Sequence, residues 1–241
     1  MNRTIRTTED VFALLDRFFP PAEDQWDRFY ADRSADRPFF VPKPDENLVS
    51  YLDRGLLSPG RALDLGCGPG RNAVHLASHG FDVDAVDLSS TAVDWAEERA
   101  REAGVGAGSG AALRFHRASI FEARLPHDRY DLVYDSGCLH HLPPHRRIGY
   151  LALLDRVLAP GGHFAVTVFA AGAMGSEQPD EELYRLGGLA GGLAWSPDEL
   201  RSLFDGFVPL EVRPMAARTP GDGTFGMPFL LTALFQRTAS L

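Results

Sequence analysis

Two aspartates and a glycine-rich turn are the residues of this sequence whose types and spacing could do chemistry. The segment Ala62-Leu63-Asp64-Leu65-Gly66-Cys67-Gly68-Pro69-Gly70 places a turn directly after a short apolar run that contains Asp64. Glycines in such a turn let a ligand approach the backbone with no Cβ in the way. A helix starting just beyond it offers unpaired N–H groups to an anionic or polar ligand. Asp87 follows Gly66 by about 20 residues, the interval expected of an acid that ends the next strand and binds a ribose. A carboxylate accepts from both hydroxyls of a ribose diol. Together these parts describe an adenosine-containing ligand lying across the carboxyl ends of two strands.

Charge narrows the ligand further. A dinucleotide fingerprint needs a third glycine three residues after the second. That position is Arg71, and the glycine falls one residue earlier, at Gly70. Bulk at position 71 disturbs the close helix packing that a pyrophosphate site uses. Asp64 would repel a pyrophosphate and attract an ammonium. S-adenosylmethionine (SAM) carries an ammonium and a sulfonium and no phosphate. The electrostatics therefore favour SAM and disfavour an NAD-dependent oxidoreductase.

Histidines supply the candidate base. His140 and His141 follow Asp135 closely. His140 at the pocket mouth suits proton removal, since an imidazole titrates near neutral pH. Two adjacent histidines on a helix cannot both face one site, so only one is assigned. His141 and His145 have the i, i+4 spacing of zinc ligands, but Pro143-Pro144 break that face and no metal is expected. Cys67 and Cys138, distant in sequence, read as small semi-buried thiols rather than a disulfide framework.

The elements that must position these residues alternate. Strands are expected at Ala62–Leu65, Val83–Val86, Leu113–His116, Leu132–Tyr134 and His163–Phe169. Helices are expected at Asn72–His79, from Ser89 or Ser90 to Ala103, and at Pro144–Leu158, the last ended by Pro160-Gly161-Gly162. Such alternation means right-handed βαβ units and a parallel sheet covered on both faces. The Gly104–Gly110 stretch reads as a surface connection. Residues 1–45 form an N-terminal cover: a helix capped near Thr7-Thr8-Glu9-Asp10 and stopped by Pro20-Pro21, a second from Glu23 to about Ser34, then an extended path around Phe39 and Phe40. Asp45 is placed as the cap of a helix running to Arg54. Residues 46–169 form the core, 170–196 a lid-like insertion too long for a plain connection, and 197–241 a C-terminal helix and strands. Ser196-Pro197-Asp198-Glu199 opens that helix with a capping box. The whole is one domain.

Bulk composition excludes other classes. The chain is 44% hydrophobic and 24% charged, as soluble globular proteins are. No apolar run approaches the roughly 20 residues that span a bilayer, and the N-terminal residues do not resemble a signal peptide, so a cytoplasmic location is expected without membrane attachment. A net charge of −9 argues against nucleic acid as partner or substrate. The expected partner is a small-molecule acceptor, with the chain a monomer or homodimer.

Four motifs in order carry a family resemblance. Asp64–Gly70 resembles motif I of the class I SAM-dependent methyltransferases, and Val83-Asp84-Ala85-Val86-Asp87-Leu88-Ser89 resembles their second motif. Tyr130–Leu142 is similar to their fourth, and Leu158-Ala159-Pro160-Gly161-Gly162 to the turn before their fifth strand. Gly70-Arg71-Asn72 and the Trp26…Phe39-Phe40 entry further resemble the tellurite-resistance and thiopurine type of small-molecule methyltransferase. The resemblance implies an α/β, Rossmann-like fold, with a mostly parallel seven-stranded sheet, helices on both faces and an N-terminal helical cover. It implies that Asp64 and the backbone at Gly66, Cys67 and Gly68 hold the amino-acid end of SAM. Asp87 would bind the ribose, Leu88 and Ile120 would pack on the adenine, and Asp135 would lie near the methionyl group. Ser119 stands where the family has an acid for the adenine amine, which puts that contact in doubt. Tyr30 with Arg33 is placed near the SAM carboxylate, and Tyr30, Phe40, Tyr184 and Trp195 in the segments that cover the pocket. Apart from the resemblance, the acidic run Glu177, Asp180, Glu181 and Glu182 reads as a solvated face, with a cationic acceptor as the alternative use. The implied activity is methyl transfer to an O, N or S nucleophile. Its alternatives are an enzyme of the same fold that cyclises SAM or transfers another alkyl group, and a non-catalytic SAM-binding module.

Overall fold

The computed structural model describes residues 5–20, 22–106 and 112–239. Pro21 of the expected helix stop and residues 107–110 of the expected glycine-rich connection lie outside them, as do the first four residues of the cover.

Apolar alternation on both faces builds the centre of the molecule. β1 (Arg61–Leu65) pairs in parallel with β2 (Asp82–Asp87) and β4 (Tyr130–Ser136). β3 (Leu113–Arg117) extends the sheet beyond β2, and β5 (Leu158–Ala170) extends it beyond β4. β8 (Leu230–Arg237) and β7 (Phe207–Pro214) complete it antiparallel, in the order β3-β2-β1-β4-β5-β8-β7. Leu63, Leu65, Val133 and Phe164 face one core with Tyr150, Leu154, Leu200 and Phe204. Ala62, Val83, Leu132 and Ala165 face the other, against Leu48, Tyr51, Ala73 and Leu76. Period-two alternation inside a parallel sheet thus feeds helices on each side.

Those helices are α3 (Glu46–Asp53) and α4 (Arg71–Ser78) on one face, and α6 (Arg146–Val157) and α8 (Pro197–Leu203) on the other. Ser89 caps α5 (Ser90–Glu102), its hydroxyl accepting from Ala92 N–H. The Ser196–Glu199 capping box is present. In the cover, Thr7 and Asp10 form a capping box on α1 (Thr8–Leu15), and α2 spans Ala22–Ala31.

Several expectations are corrected. Among the described residues the sheet has eight strands, not seven, because β6 (Ala194–Trp195) pairs with β5 on the edge that β4 occupies, opposite β8. The 170–196 segment therefore holds a strand, and it also holds α7 (Asp180–Leu186). Pro160-Gly161-Gly162 is no turn before β5; it lies inside that strand, beside a shift of register against β4. Pro38–Phe40 is a 3-10 turn rather than extended. Asp45 sits at the start of α3 but makes no side-chain cap, because its carboxylate is spent elsewhere.

Candidate active site

Order reverses between β1 and β4, and the crevice at the carboxyl ends of those strands is where ligands of such folds bind. The glycine-rich turn leaves β1 there. Gly68 has φ +51°, and a Cβ on it would stand 2.9 Å from the Tyr30 hydroxyl of α2. A Cβ on Gly66 would stand 2.8 Å from the Cys138 Cβ. Only glycine admits the turn and its close neighbours together. Asp87, ending β2, accepts from Gly68 N–H at 2.8 Å and from Ser89 N–H at 2.9 Å, so it braces the turn.

Four acids are buried around the turn, and a guanidinium pairs with one of them. Asp45, Asp64, Asp87 and Asp135 are all buried. Arg71, at the first position of α4, pairs with Asp45 at 2.6 Å and lies over the Phe225 ring at 4.0 Å. Asp45 also accepts from Tyr134 and Ser136 hydroxyls and from Asn72 Nδ2, which fixes its carboxylate below Arg71. Burial, with Asp45 and Asp135 nearby, pushes the Asp64 carboxyl well above the usual range. Asp64 Oδ2 and Arg71 Nη1 are buried without a hydrogen-bond partner. Buried polar atoms are normally paired. An unpaired carboxylate oxygen and an unpaired guanidinium N–H on one cavity wall match the ammonium and carboxylate of an amino acid.

The same cavity continues past the turn. Its volume is about 1260 Å³, above the range of ordinary small-molecule pockets. Leu88, Ser119 and Ile120 line it on the β2–β3 side, and Trp26, His140, His141 and Phe169 line its far part. His140 and His141 lie on a 3-10 turn (Leu139–His141), not an α-helix, and both residues line the cavity. The expectation that only one could do so is corrected. The two roles differ. His140 Nδ1 accepts from Phe169 N–H at 3.2 Å, which leaves Nε2 to carry the proton. Burial holds the His140 pKa well below the usual value. His140 is thus a neutral donor. His141 is also kept neutral, pushed down to about 4 by burial.

Residues 62–162 match the methyltransferase domain family model. These residues carry a class I SAM-dependent methyltransferase domain. It is 29% identical over 132 residues to a 2-heptyl-1-hydroxyquinolin-4(1H)-one methyltransferase of Mycobacteroides abscessus, covering 55% of this chain and 56% of that one. To a 27-O-demethylrifamycin SV methyltransferase of Amycolatopsis mediterranei it is 30% identical over 162 residues, covering 66% and 56%. The matches thus span little more than half the length of these curated relatives. The fold is that of 1,6-didemethyltoxoflavin-N1-methyltransferase from Burkholderia thailandensis, with TM-score 0.62, 23% identity and coverage of 99% and 93%.

Within this methyltransferase domain the expected residues divide. Tyr30, Asp64, Gly66, Cys67, Gly68, Asp87, Leu88, Ser119, Ile120 and His140 all line the cavity. Asp135 does not. Its oxygens accept from the N–H groups of Gly137, Cys138 and Leu139 and from the Tyr150 hydroxyl, so it holds the loop after β4. Arg33 is also elsewhere, paired with Glu98 and lying over Trp95. Phe40 and Trp195 are core residues, and Tyr184 bonds to His145. Asp180 pairs with Arg147, and Glu181 and Glu182 with Arg185, and none of the acidic run lines the cavity. Cys67 and Cys138 are free, and burial pushes both thiols up. Among the described residues no His, Cys, Asp or Glu group is arranged to hold a metal, and no helix is long and apolar enough to cross a membrane. Sequence reading missed Arg71 and Asp45. In sequence Arg71 counts as bulk and as part of the Gly70-Arg71-Asn72 resemblance, although an arginine at the first turn of a ligand-binding helix is itself a signal for an anionic group.

Proposed function

We propose that this protein is a SAM-dependent methyltransferase that moves a methyl group to an O, N or S nucleophile of a small molecule. The observation that carries this is the single cavity joining the glycine turn to a chamber large enough for a second molecule. A protein that cyclised SAM, or only sensed it, would have no use for that chamber. The relatives that act on a hydroxyquinolone and a rifamycin support a small-molecule acceptor.

In this reading Asp64 and the backbone at Gly66, Cys67 and Gly68 hold the SAM ammonium. Arg71 holds the carboxylate, with the Tyr30 hydroxyl closing over the turn. Asp87 binds the ribose, and Leu88, Ser119 and Ile120 frame the adenine. Bound there, SAM supplies a methyl on a sulfonium, a leaving group that needs no help from the protein. The chain's own task is alignment and exclusion of water. His140 Nε2–H donates to the acceptor, and His141 is the group left to accept its proton. This moves the base role from His140 to its neighbour. Residues 1–45 act as cover and 170–196 as lid over the 46–169 core, with 197–241 completing the sheet; Trp26, Tyr30 and Gly191 on the cavity wall support this. Two free cysteines within the site suit the reducing cytoplasm. The net charge of −9 supports a partner other than nucleic acid, and a monomer or homodimer suffices because one chain lines the whole cavity.

Calorimetric titration with SAM tests the donor; no heat at millimolar SAM would sink the reading. Product analysis tests the use. S-adenosylhomocysteine should appear only when an acceptor is added, whereas methylthioadenosine would point to cyclisation if formed from SAM alone and to transfer of another alkyl group if formed only with an acceptor.

A further inference from the structure

The far part of the cavity is built from three separate elements that place aromatic rings around two imidazoles. Trp26 comes from α2, His140 and His141 from the turn after β4, and Phe169 from the end of β5. The His140 ring lies flat on Phe169, with centroids 3.9 Å apart and planes 16° apart. His141 stands edge-on to Trp26 at 4.7 Å and to Phe169 at 5.9 Å. Its side chain has no hydrogen-bond partner among the described residues, whereas His140 is committed through Nδ1. One turn of α2 further on, Tyr30 reaches the glycine turn while packing beside Trp26 at 6.1 Å and 29°. A single helix face therefore borders both halves of the cavity.

The charges in this chamber disfavour a cation. Glu9, Asp16 and Glu122 also line the cavity, but Glu9 and Asp16 are paired with Arg146. Glu122 is exposed at the surface. An amine entering between the rings would lose its water and meet no buried, unpaired carboxylate among these three. A flat, uncharged or delocalised acceptor would instead stack on ring faces and keep its polar edge for the imidazoles.

We propose that the acceptor is a planar aromatic or heteroaromatic molecule bearing an O–H, N–H or S–H, packed against Trp26 and Phe169, with His140 donating to it and His141 accepting from it. The assignment rests on the methyl-transfer reading for its biological meaning, but it is tested by binding alone. Calorimetry on the full chain without SAM would compare 2-naphthol with decahydro-2-naphthol, which share a skeleton and a hydroxyl and differ in planarity. The flat probe should bind about five- to tenfold more tightly, as ring stacking of about 1 kcal/mol gives. Trp26→Ala should weaken 2-naphthol by a similar factor, and Trp26→Phe should restore most of it. Should Trp26→Ala fail to fold, Phe169→Leu is expected to show the same loss. Equal affinity for the two probes would overturn the proposal, and so would unaltered 2-naphthol affinity in a folded Trp26→Ala or Phe169→Leu protein. S-adenosylhomocysteine titrated separately keeps the two readings apart. If it fails to bind while 2-naphthol binds, the methyltransferase reading falls and the aryl site stands.

Discussion

Asp64 is a carboxyl waiting for a cation. Burial and two neighbouring acids raise its pKa, and a bound ammonium reverses the balance. Binding of S-adenosylhomocysteine should then release protons, seen as a dependence of calorimetric heat on the buffer's ionisation enthalpy. Asp64→Asn should abolish the release; an unchanged proton count would remove Asp64 from the ammonium site. His141 gives a second test. Its folded pKa of about 4 lies below the unfolded value of 6.5. Between these values the unfolded chain binds more protons, so the His141 contribution is present above 6.5 and fades as pH falls to about 4. The full effect is on the order of 3 kcal/mol. Urea unfolding of wild type and His141→Gln should therefore diverge in pH slope across that window and run parallel above it. Asp135 works in the opposite sense. Pushed up to about 6 by burial, it favours the folded state in acid, and that contribution declines as pH rises to about 6.

Elements position these groups through polar ties that composition does not reveal. Asp27 on α2 accepts from the Ser89 hydroxyl and Thr91 N–H, docking the cover on the N-terminus of α5. Asp16 ties α1 to α6 through His145 and Arg146, and His145 bonds onward to Tyr184 of α7. The segment after α1 and the helix α7 thus share one buried imidazole. Asp16→Ala should speed amide hydrogen exchange in 8–18 and in 180–186 together while leaving β1 and β4 protected. Faster exchange in only one of the two segments would break the claimed coupling. Arg71→Ala leaves the buried Asp45 carboxylate without its cation. A loss of about 3 kcal/mol or more in stability is expected by chemical denaturation, together with weakened S-adenosylhomocysteine binding.

At the scale of the whole molecule, a ligand seated across cover, turn and sheet ends should stabilise them as one unit. At a hundredfold excess over Kd the gain is about 2.7 kcal/mol, or a rise in Tm of roughly 5–10 °C for a chain of this size. Asp87→Ala should remove most of that rise for S-adenosylhomocysteine and leave the Tm shift caused by 2-naphthol intact. Differential scanning calorimetry distinguishes the two.

Much of this was legible from residue order. Alternation of short apolar runs with helical stretches specified the βαβ core, because strand and helix periods are local properties. The glycine turn, Asp64 and Asp87 were legible for the same reason: their spacing is set by one strand, one turn and one helix. Contacts between distant segments were not. Asp45 looks like a cap in sequence, and only the packing of α3 against β4 gives its carboxylate to Arg71, Tyr134 and Ser136. Asp135 looked like a ligand residue until the loop after β4 consumed its oxygens. The histidine pair could not be apportioned from sequence, since the 3-10 turn and the Phe169 N–H decide which nitrogen bears the proton. Local order specified the SAM-binding turn; the acceptor chamber exists only where α2, β5 and that turn meet, and chain segments so far apart are brought together by tertiary packing alone.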